Sequence, residues 1–149
     1  CQMIHGDAEL SNEWETPTEV FASICDRFNI SPYLDVCASD GMAKCRRFFT
    51  PKDNGLKQEW QETSWCNPPF SDIEPWLAKA DEQHEKHGTE IIMIIPANAA
   101  CAKYAQPYLE KDNGPKVHRH YGRIRFLQDG MPAESSSPNG MNIIVWRGK

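Results

Sequence analysis

The order of apolar segments along the chain predicts an α/β fold, in which helices cover a sheet. Residues 91–95 form a continuous apolar run that ends at Pro96, which is typical of a strand covered on both faces of a parallel sheet. Residues 16–28 and 72–87 instead carry apolar side chains at helical spacing. Shorter strand-like segments alternate with these helices. This alternation is typical of a layered α/β domain.

The first helix is predicted to begin at Thr16-Pro17. Thr16 has the residue type of an N-cap, Pro17 suits the first helical position, and Glu19 completes a capping box. The apolar side chains with helical spacing are those of Val20, Phe21, Ile24 and Phe28. This spacing predicts that the helix covers a core.

A second helix is predicted from Asp72 to His87, with Gly88 at its end. Its predicted core face comprises Ile73, Trp76, Leu77 and Ala80. Residues 99–110 are interpreted as a further helix and residues 129–140 as a loop. The remaining strands are predicted at Tyr33–Cys37, Arg46–Thr50, Thr63–Cys66, Met141–Trp146 and, as one or two strands interrupted near Gly122, at Lys116–Leu127.

Length and charge limit the classes of function. The chain has 149 residues, so we expect a single domain over residues 1–149, with a polar and loose segment at residues 1–13. The net charge of −5 excludes coating of nucleic acid by bulk attraction, so a contact with DNA needs a local basic patch. No apolar run has the length of a membrane span. The opening residues do not resemble a signal peptide, and the missing initiator Met indicates a longer gene product.

Six cysteines are present, and no two of them form a C-x-x-C pair. In a chain of this size cysteines need not form a disulfide framework, so we interpret them as free buried thiols. We therefore expect a cytoplasmic protein and predict no metal site.

The sharpest chemical motif is Trp65-Cys66-Asn67-Pro68-Pro69-Phe70. It directly follows a predicted strand, where open α/β sheets bind their ligands. The residue types of this motif suit a reaction at an exocyclic amine such as that of adenine. Such an amine is a poor nucleophile, because its lone pair is delocalised into the ring. The Asn67 side-chain oxygen and the Pro68 carbonyl can each accept a hydrogen bond from that amine, and the two prolines restrict the direction of the carbonyl. Phe70 offers a face on which a flipped base can stack.

This chemistry needs no strong general base if the proton leaves late, since positioning and electrostatics carry most of the reduction of the barrier. The motif therefore predicts catalysis at Asn67, Pro68, Pro69 and Phe70. The alternative is that Asn67-Pro68-Pro69 only stops a strand and forms a turn.

With these motifs the chain resembles the amino-methyltransferases, whose catalytic tetrapeptide is Asn, Asp or Ser followed by Pro-Pro and an aromatic residue. More specifically, it resembles the phage-type DNA N-6-adenine methyltransferases. The matching stretches run in order over nearly the whole chain: Asn12–Pro17, Leu34–Ser39, Ala43–Cys45, Phe49–Thr50, Gly55–Leu56, Trp60, Trp65–Phe70, Pro96–Ala97 and Gly122–Phe126. The resemblance implies a Rossmann-like methyltransferase fold, with a mostly parallel sheet flanked by helices and an antiparallel C-terminal strand.

The same resemblance implies S-adenosylmethionine as cofactor. Thr16 and Pro17 would lie against its methionine end, Asp35 would hold its amino group, and the turn at Asp53-Asn54 would lie near its adenosine. The implied cofactor-binding residues are Trp14, Thr16, Pro17, Asp35, Cys37, Ala38, Ser39, Asp53, Asn54 and Asn67.

Some of these residues have other interpretations. Asp35 can equally cap a turn or a helix, and Trp14 can pack over the edge of the sheet. The chain also departs from the family pattern in two places. Its cofactor loop holds only Gly41, and Asn54 stands where family members have Asp before Gly-Leu.

The densest basic segment lies between residues 116 and 125. Arg119, Arg123 and Arg125 follow the two-residue period of a strand, which would place them on one face. Together with Lys116 they are predicted to bind phosphates of the substrate beside the catalytic pocket. The alternative is an ordinary solvated edge strand that its charges protect.

The sequence thus predicts methyl transfer to the N6 amino group of adenine in double-stranded DNA by a monomer or homodimer, in the host cytoplasm if a phage encodes it. No large insertion provides a separate target-recognition domain, so we expect short or relaxed specificity, or recognition by loops or by a dimer. Three alternatives stay open. They are another planar amino group (cytosine N4, an RNA adenine or a protein glutamine), a non-catalytic cofactor-binding or DNA-binding module, and an unrelated α/β binding domain.

Overall fold

A computed structural model describes residues 16–38, 44–50, 52–69, 72–111, 114–120, 127–128, 131–132 and 140–148. The strands in these ranges are Leu34–Asp35 (β1), Arg47–Phe48 (β2), Ser64–Cys66 (β3), Ile91–Pro96 (β4), Lys116–Arg119 (β5), Leu127–Gln128 (β6), Met131–Pro132 (β7) and Met141–Trp146 (β8). The helices are Thr18–Phe28 (α1), Glu74–His87 (α2), Ala97–Ala100 (α3) and Gln106–Leu109 (α4), with 3-10 turns at Gly55–Lys57 and Lys103–Ala105. The predicted alternation of strands and helices is confirmed.

Six of these strands form one sheet in the order β2-β1-β3-β4-β8-β5. β1 pairs in parallel with β2 and with β3, and β3 pairs in parallel with β4. β8 runs antiparallel to both of its neighbours, β4 and β5. The predicted mostly parallel sheet with an antiparallel C-terminal strand is therefore confirmed. β6 and β7 form a separate antiparallel pair, and β7 lies within residues 129–140, which the sequence predicted as a loop.

The order of the strands reverses at β1. The chain passes from β1 to β2 on one side and then returns to β3 on the other side. In open α/β sheets such a reversal opens a crevice outside the carboxyl ends of the two strands. Here that crevice lies between the segments that follow β1 and β3.

Apolar side chains bury both faces of the sheet, and β4 is buried along its whole length. On one face α2 packs Trp76, Leu77 and Ala80 against the sheet. On the other face α1 packs Ile24 and Phe28. Full burial of one large apolar side chain stabilises a fold by about 1.5–3 kcal/mol, so these two layers hold the crevice in place. None of the helices in the described ranges is both long and apolar enough to cross a membrane.

Helix α1 begins one residue later than predicted, at Thr18 instead of Pro17. Its N-cap is Pro17, whose ψ of 147° is extended, and no side chain caps the helix. The predicted N-cap role of Thr16 and the capping box with Glu19 are therefore wrong. The φ of proline suits both helical and extended backbone, so the sequence does not fix where the helix starts. The core face is confirmed at Ile24 and Phe28, which are buried.

Residues 99–110 do not form the single helix that was predicted. Ala102 is extended, with ψ 149°, and separates α3 from the following turns. Pro107 lies in the first turn of α4, where a residue without an N–H is tolerated. By contrast, α2 ends as predicted, because Gly88 adopts the left-handed conformation with φ 70°.

The cysteines differ in their chemistry. Four are free thiols: Cys25, Cys45, Cys66 and Cys101. Cys37 is disulfide-bonded, so the interpretation as a free thiol is wrong for this residue. Burial raises the pKa of Cys25 to about 11 and, with Asp35 and Cys25 nearby, that of Cys45 to about 12. Both thiols are therefore protonated at neutral pH and are weak nucleophiles.

Candidate active site

The walls of the crevice are the segments that continue β1 and β3. The Val36 amide donates to the Trp65 carbonyl at 3.1 Å, so the two strands stay paired one residue beyond β1. The Ala38 amide donates to the Phe49 carbonyl at 3.0 Å, which holds the end of this segment against the strand on its other side. Residues 36–38 therefore leave β1 beside residues 67–69, which leave β3.

Asn67-Pro68-Pro69 lies at the carboxyl end of β3, as predicted. The Oδ1 atom of Asn67 is buried, and Pro68 is buried as well. The Pro69 carbonyl accepts from the Asp72 amide at 3.1 Å and so leads the chain into α2. In the described ranges no backbone amide donates to the Pro68 carbonyl. Two oxygen acceptors thus lie on adjacent residues at the crevice, while Phe70 lies outside the described residues.

The residues before Asn67 fix its position, because they are anchored on opposite faces of the sheet. Trp65 packs its ring edge-on against Phe21 of α1, with centroids 4.8 Å apart. Cys66 is fully buried on the α2 side. Burial raises the pKa of the Cys66 thiol well above its usual range, so the thiol stays protonated and does not act as a nucleophile.

Asp35 organises the loop on the other wall of the crevice. Its side chain is 3% exposed, and its two oxygens accept from the Cys37 amide at 3.2 Å and from the Lys44 amide at 3.0 Å. The carboxylate therefore ties both ends of the loop to β1. This geometry matches the alternative interpretation of Asp35 as a cap for a turn, and its predicted contact with the cofactor's amino group stays a prediction.

A tight turn packs against the carboxyl end of β1. A Cβ atom on Gly55 would lie 2.1 Å from the Val36 carbonyl oxygen and 3.2 Å from the Trp76 ring. Only glycine fits this position, because real Cβ atoms do not approach a backbone oxygen so closely. The family match at Gly55-Leu56 was the only sequence signal for this glycine, and the physical reason for it appears only in the structure.

The side chains before Gly55 shape the same turn. Asn54 has φ 55°, and its Oδ1 atom accepts from the Leu56 amide at 3.2 Å. The Asp53 carboxylate accepts from the Thr50 amide at 3.0 Å. Their predicted contact with adenosine stays a prediction, and the hydrogen bonds within the turn account for both residue types.

A buried polar group lies just before α1. The Thr16 hydroxyl oxygen is buried and has no hydrogen-bond partner among the described residues, and the first turn of α1 has no side-chain cap. A buried polar atom that the fold leaves unsatisfied is a natural partner for a ligand. Trp14 and Ser39, the neighbouring predicted cofactor residues, lie outside the described residues.

The predicted basic stripe is divided by strand geometry. β5 forms the edge of the sheet and exposes Lys116 and Arg119. Successive side chains of a strand point to opposite faces, so Lys116 lies on the α1 face and Arg119 on the α2 face. Arg123 and Arg125 lie outside the described residues, so their predicted alignment with Arg119 stays a prediction.

This protein has a mostly parallel sheet, a crevice where the strand order reverses and an Asn-Pro-Pro wall. These features are typical of α/β proteins that bind their ligands at the carboxyl ends of the strands. Comparison with known proteins identifies the family within this class. A model of the DNA N-6-adenine-methyltransferase (Dam) family matches residues 5–148. The chain therefore belongs to the DNA N-6-adenine-methyltransferase (Dam) family, as the sequence motifs predicted, and the predicted class of enzyme is confirmed with it.

Two phage proteins illustrate this relationship. The chain is 36% identical over 139 residues to the DNA N-6-adenine-methyltransferase of Haemophilus phage HP1 (strain HP1c1), with 89% of this chain and 76% of the relative covered. It is 35% identical over 147 residues to the DNA N-6-adenine-methyltransferase of Escherichia phage T1, with 89% of this chain and 60% of the relative covered. The similarity to the phage T1 protein thus covers most of this chain but only 60% of the length of that relative.

Proposed function

We propose that this chain transfers the methyl group of S-adenosylmethionine to the N6 atom of adenine in double-stranded DNA, with the target base flipped into the crevice. The observation that carries the proposal is the position of Asn67 and Pro68 directly after β3, at the reversal of strand order. The names of the two phage relatives support adenine in DNA as the substrate. The strand order and the antiparallel β8 support the Rossmann-like methyltransferase fold that the resemblance implies.

The residues around the crevice fit the proposed cofactor. S-adenosylmethionine supplies a methyl group on a positively charged sulfur, which is electrophilic without further activation. The hydroxyl of Thr16, which is buried and has no hydrogen-bond partner in the described part of the chain, suits a polar atom at the amino-acid end. The buried carboxylate of Asp35 favours a cationic ligand next to its loop, because charges interact strongly away from water. The turn at Asp53-Asn54 would lie near the adenosine.

Asn67 and Pro68 act on the adenine amine. The Asn67 Oδ1 atom accepts a hydrogen bond from one N–H, and the Pro68 carbonyl accepts from the other. These two bonds favour a pyramidal nitrogen, whose lone pair is localised and aimed at the methyl group. With S-adenosylmethionine bound, the nitrogen–carbon bond would form as the carbon–sulfur bond breaks, the electron pair of that bond would stay on sulfur, and the proton would leave to water.

Direct transfer suits this crevice better than a covalent enzyme intermediate. The thiol of Cys66, which directly precedes Asn67, is fully buried and protonated. Catalysis then depends on preorganised acceptors and on the orientation of the base, which are among the largest contributions to enzymatic rates.

The proposed function is tested by methyl transfer from radiolabelled S-adenosylmethionine to unmethylated double-stranded DNA, followed by nucleoside analysis. We expect label in N6-methyldeoxyadenosine. Label in N4-methyldeoxycytidine would keep the mechanism but replace the target base. Absence of label, together with no cofactor binding by calorimetry, would overturn the proposal.

Asn67→Ala tests the role of the amide. Loss of one preorganised hydrogen-bond acceptor is expected to lower turnover by about a hundredfold or more while cofactor binding stays nearly unchanged. Gln61→Ala is the matched control, because Gln61 is an exposed amide before the same strand, at its opposite end. Unchanged turnover in Asn67→Ala would refute the proposed mechanism.

A further inference from the structure

Basic side chains from two elements meet where α1 crosses β5. Arg27 donates from Nη1 to the Arg119 carbonyl at 2.8 Å, which ties the helix to the strand. The rings of Phe28 and His118 lie next to this bond, with centroids 4.7 Å apart. Lys116 lies on the same face of β5 as His118. We define Arg27, Lys116, His118 and His120 as the α1–β5 basic surface.

The positive charge of this surface comes from Arg27 and Lys116, because the pKa values of His118 and His120 lie below 6.5 and both rings are neutral at neutral pH. Partial burial lowers the pKa of His118, and Arg27, Arg147 and Lys116 lower it further. Partial burial and Arg27 also lower the pKa of His120. All the charged groups that shift these two pKa values are cations, and no described carboxylate is among them.

Both cations of this surface also have no acidic partner among the described residues. Neither Arg27 nor Lys116 forms a salt bridge with a described residue. Basic residues that are paired with a carboxylate elsewhere include Arg47, Lys86, Lys111 and Arg147. Asp26 precedes Arg27 on the helix but does not pair with it. In a chain of net charge −5, unpaired cations at one place indicate an anionic partner.

Helix α1 connects this surface to the crevice. Phe21 packs against Trp65 of β3 at 4.8 Å, and Phe28 packs against His118 of β5. β3 and β5 are separated by three strand spacings, or about 14 Å. This distance corresponds to about four base pairs along a DNA duplex. A duplex with its target base in the crevice therefore reaches the basic surface with its neighbouring phosphates.

We propose that the α1–β5 basic surface binds the phosphate backbone of the DNA duplex on one side of the target base. This inference rests on the proposed function, since it takes duplex DNA as the substrate. Contacts of this kind position a duplex but do not read its sequence. Arg27 was not among the phosphate-binding residues predicted from the sequence, because a lone basic residue in a helix carries no sequence signal of its own.

Binding of a labelled unmethylated duplex, measured by fluorescence anisotropy over a range of salt concentrations, tests the proposal. Removal of one phosphate contact reduces the slope of log K against log salt by about 0.9. We expect Arg27→Gln and Lys116→Gln each to weaken binding about fivefold at about 0.15 M salt, and the double variant to weaken it about thirtyfold. Turnover at saturating DNA should be unchanged, so KM rises while kcat does not.

Two controls separate charge from structure. Arg27→Lys keeps the charge and should bind DNA like the unmodified protein. Lys86→Gln removes one charge from the exposed end of α2 and should leave the salt slope unchanged. Thermal unfolding of every variant checks that α1 still packs against β5.

The outcomes distinguish this proposal from the proposed function. If the unmodified protein methylates DNA and the double variant binds DNA with the same affinity and salt slope, the basic surface has no part in DNA binding. If the double variant loses self-association but keeps DNA affinity, the anionic partner is a second copy of this acidic chain, which also overturns the inference. If the unmodified protein neither binds nor methylates DNA, the proposed function itself fails.

Discussion

The two faces of the sheet differ in how many side chains they bury and in the polar groups that they carry. On the α2 face, 18 described side chains form one buried cluster that includes Trp60, Trp76 and Trp146. On the α1 face the buried cluster has nine described members. The α1 face, however, carries the Thr16 hydroxyl before the helix, which has no hydrogen-bond partner among the described residues, and Arg27 near the end of the helix. The α2 face thus fixes the backbone of the crevice, while the polar groups of the α1 face are those for which we propose contacts with the ligands.

Trp60 shows how the α2 face fixes the backbone. Its indole nitrogen donates to the Gly55 carbonyl at 2.9 Å, and its amide donates to the buried Gln83 side chain at 2.8 Å. Its own carbonyl accepts from the Thr89 hydroxyl at 2.5 Å. A buried polar network of this kind, in which the partners are satisfied, specifies one arrangement of the chain. The turn beside β1 is therefore held by packing and by hydrogen bonds together.

Gly55→Ala should have the largest effect on stability, because it breaks the α2 face at its tightest contact. The new Cβ would lie 2.1 Å from the Val36 carbonyl oxygen, so the turn must move away from β1. We expect the free energy of unfolding to fall by about 3 kcal/mol, measured by urea denaturation. Gly140→Ala is the control, since a Cβ there meets nothing within 4 Å. Equal stability of the two variants would show that the turn is not fixed as described.

Phe21→Leu tests the α1 face and should have a smaller effect. The substitution removes the edge-on contact between the Phe21 and Trp65 rings, whose planes make an angle of 87°. It leaves an apolar side chain at a half-buried site. Such aromatic pairs contribute about 0.5–1.5 kcal/mol beyond the area they bury. We therefore expect a loss of about 1 kcal/mol in urea denaturation. A loss as large as that of Gly55→Ala would contradict the difference between the faces.

The parts of the fold that the sequence predicted are those with a local signal. The continuous apolar run of β4 predicted a doubly covered strand, and Gly88 predicted the end of α2. The position of Asn67-Pro68-Pro69 was predicted for the same reason, because the motif is contiguous and follows β3 directly, while its catalytic role stays a prediction. The position of these segments in the sheet then followed from the general rule for parallel strands.

The parts that escaped prediction depend on contacts between distant segments. The need for Gly55 comes from the Val36 carbonyl, and the role of the Asp35 carboxylate in the loop comes from the Lys44 amide. Arg27 joins Lys116 only because α1 crosses the sheet to β5. Neither spacing nor residue type carries this information, since it depends on tertiary structure.

The smallest effect is expected at Glu59, an exposed residue that pairs with the end of α2. Its carboxylate accepts from Lys86 Nζ at 2.8 Å and lies 2.7 Å from His87 Nε2. These hydrogen bonds lower the pKa of Glu59 from 4.5 to about 2. A carboxylate whose pKa is lower in the folded state stabilises the fold above its unfolded pKa, and this stabilisation is lost as the pH falls from 4.5 to about 2.

Water and salt screen this pair, so Glu59→Gln should change stability at neutral pH less than Phe21→Leu does. The variant should also flatten the pH dependence of the urea midpoint between pH 4.5 and about 2, and high salt should reduce the difference from the unmodified protein. A pH dependence identical to that of the unmodified protein would show that Glu59 is not held by Lys86 and His87. A loss at neutral pH as large as that of Gly55→Ala would instead mean that exposed ion pairs, and not the buried tryptophans, stabilise the α2 face.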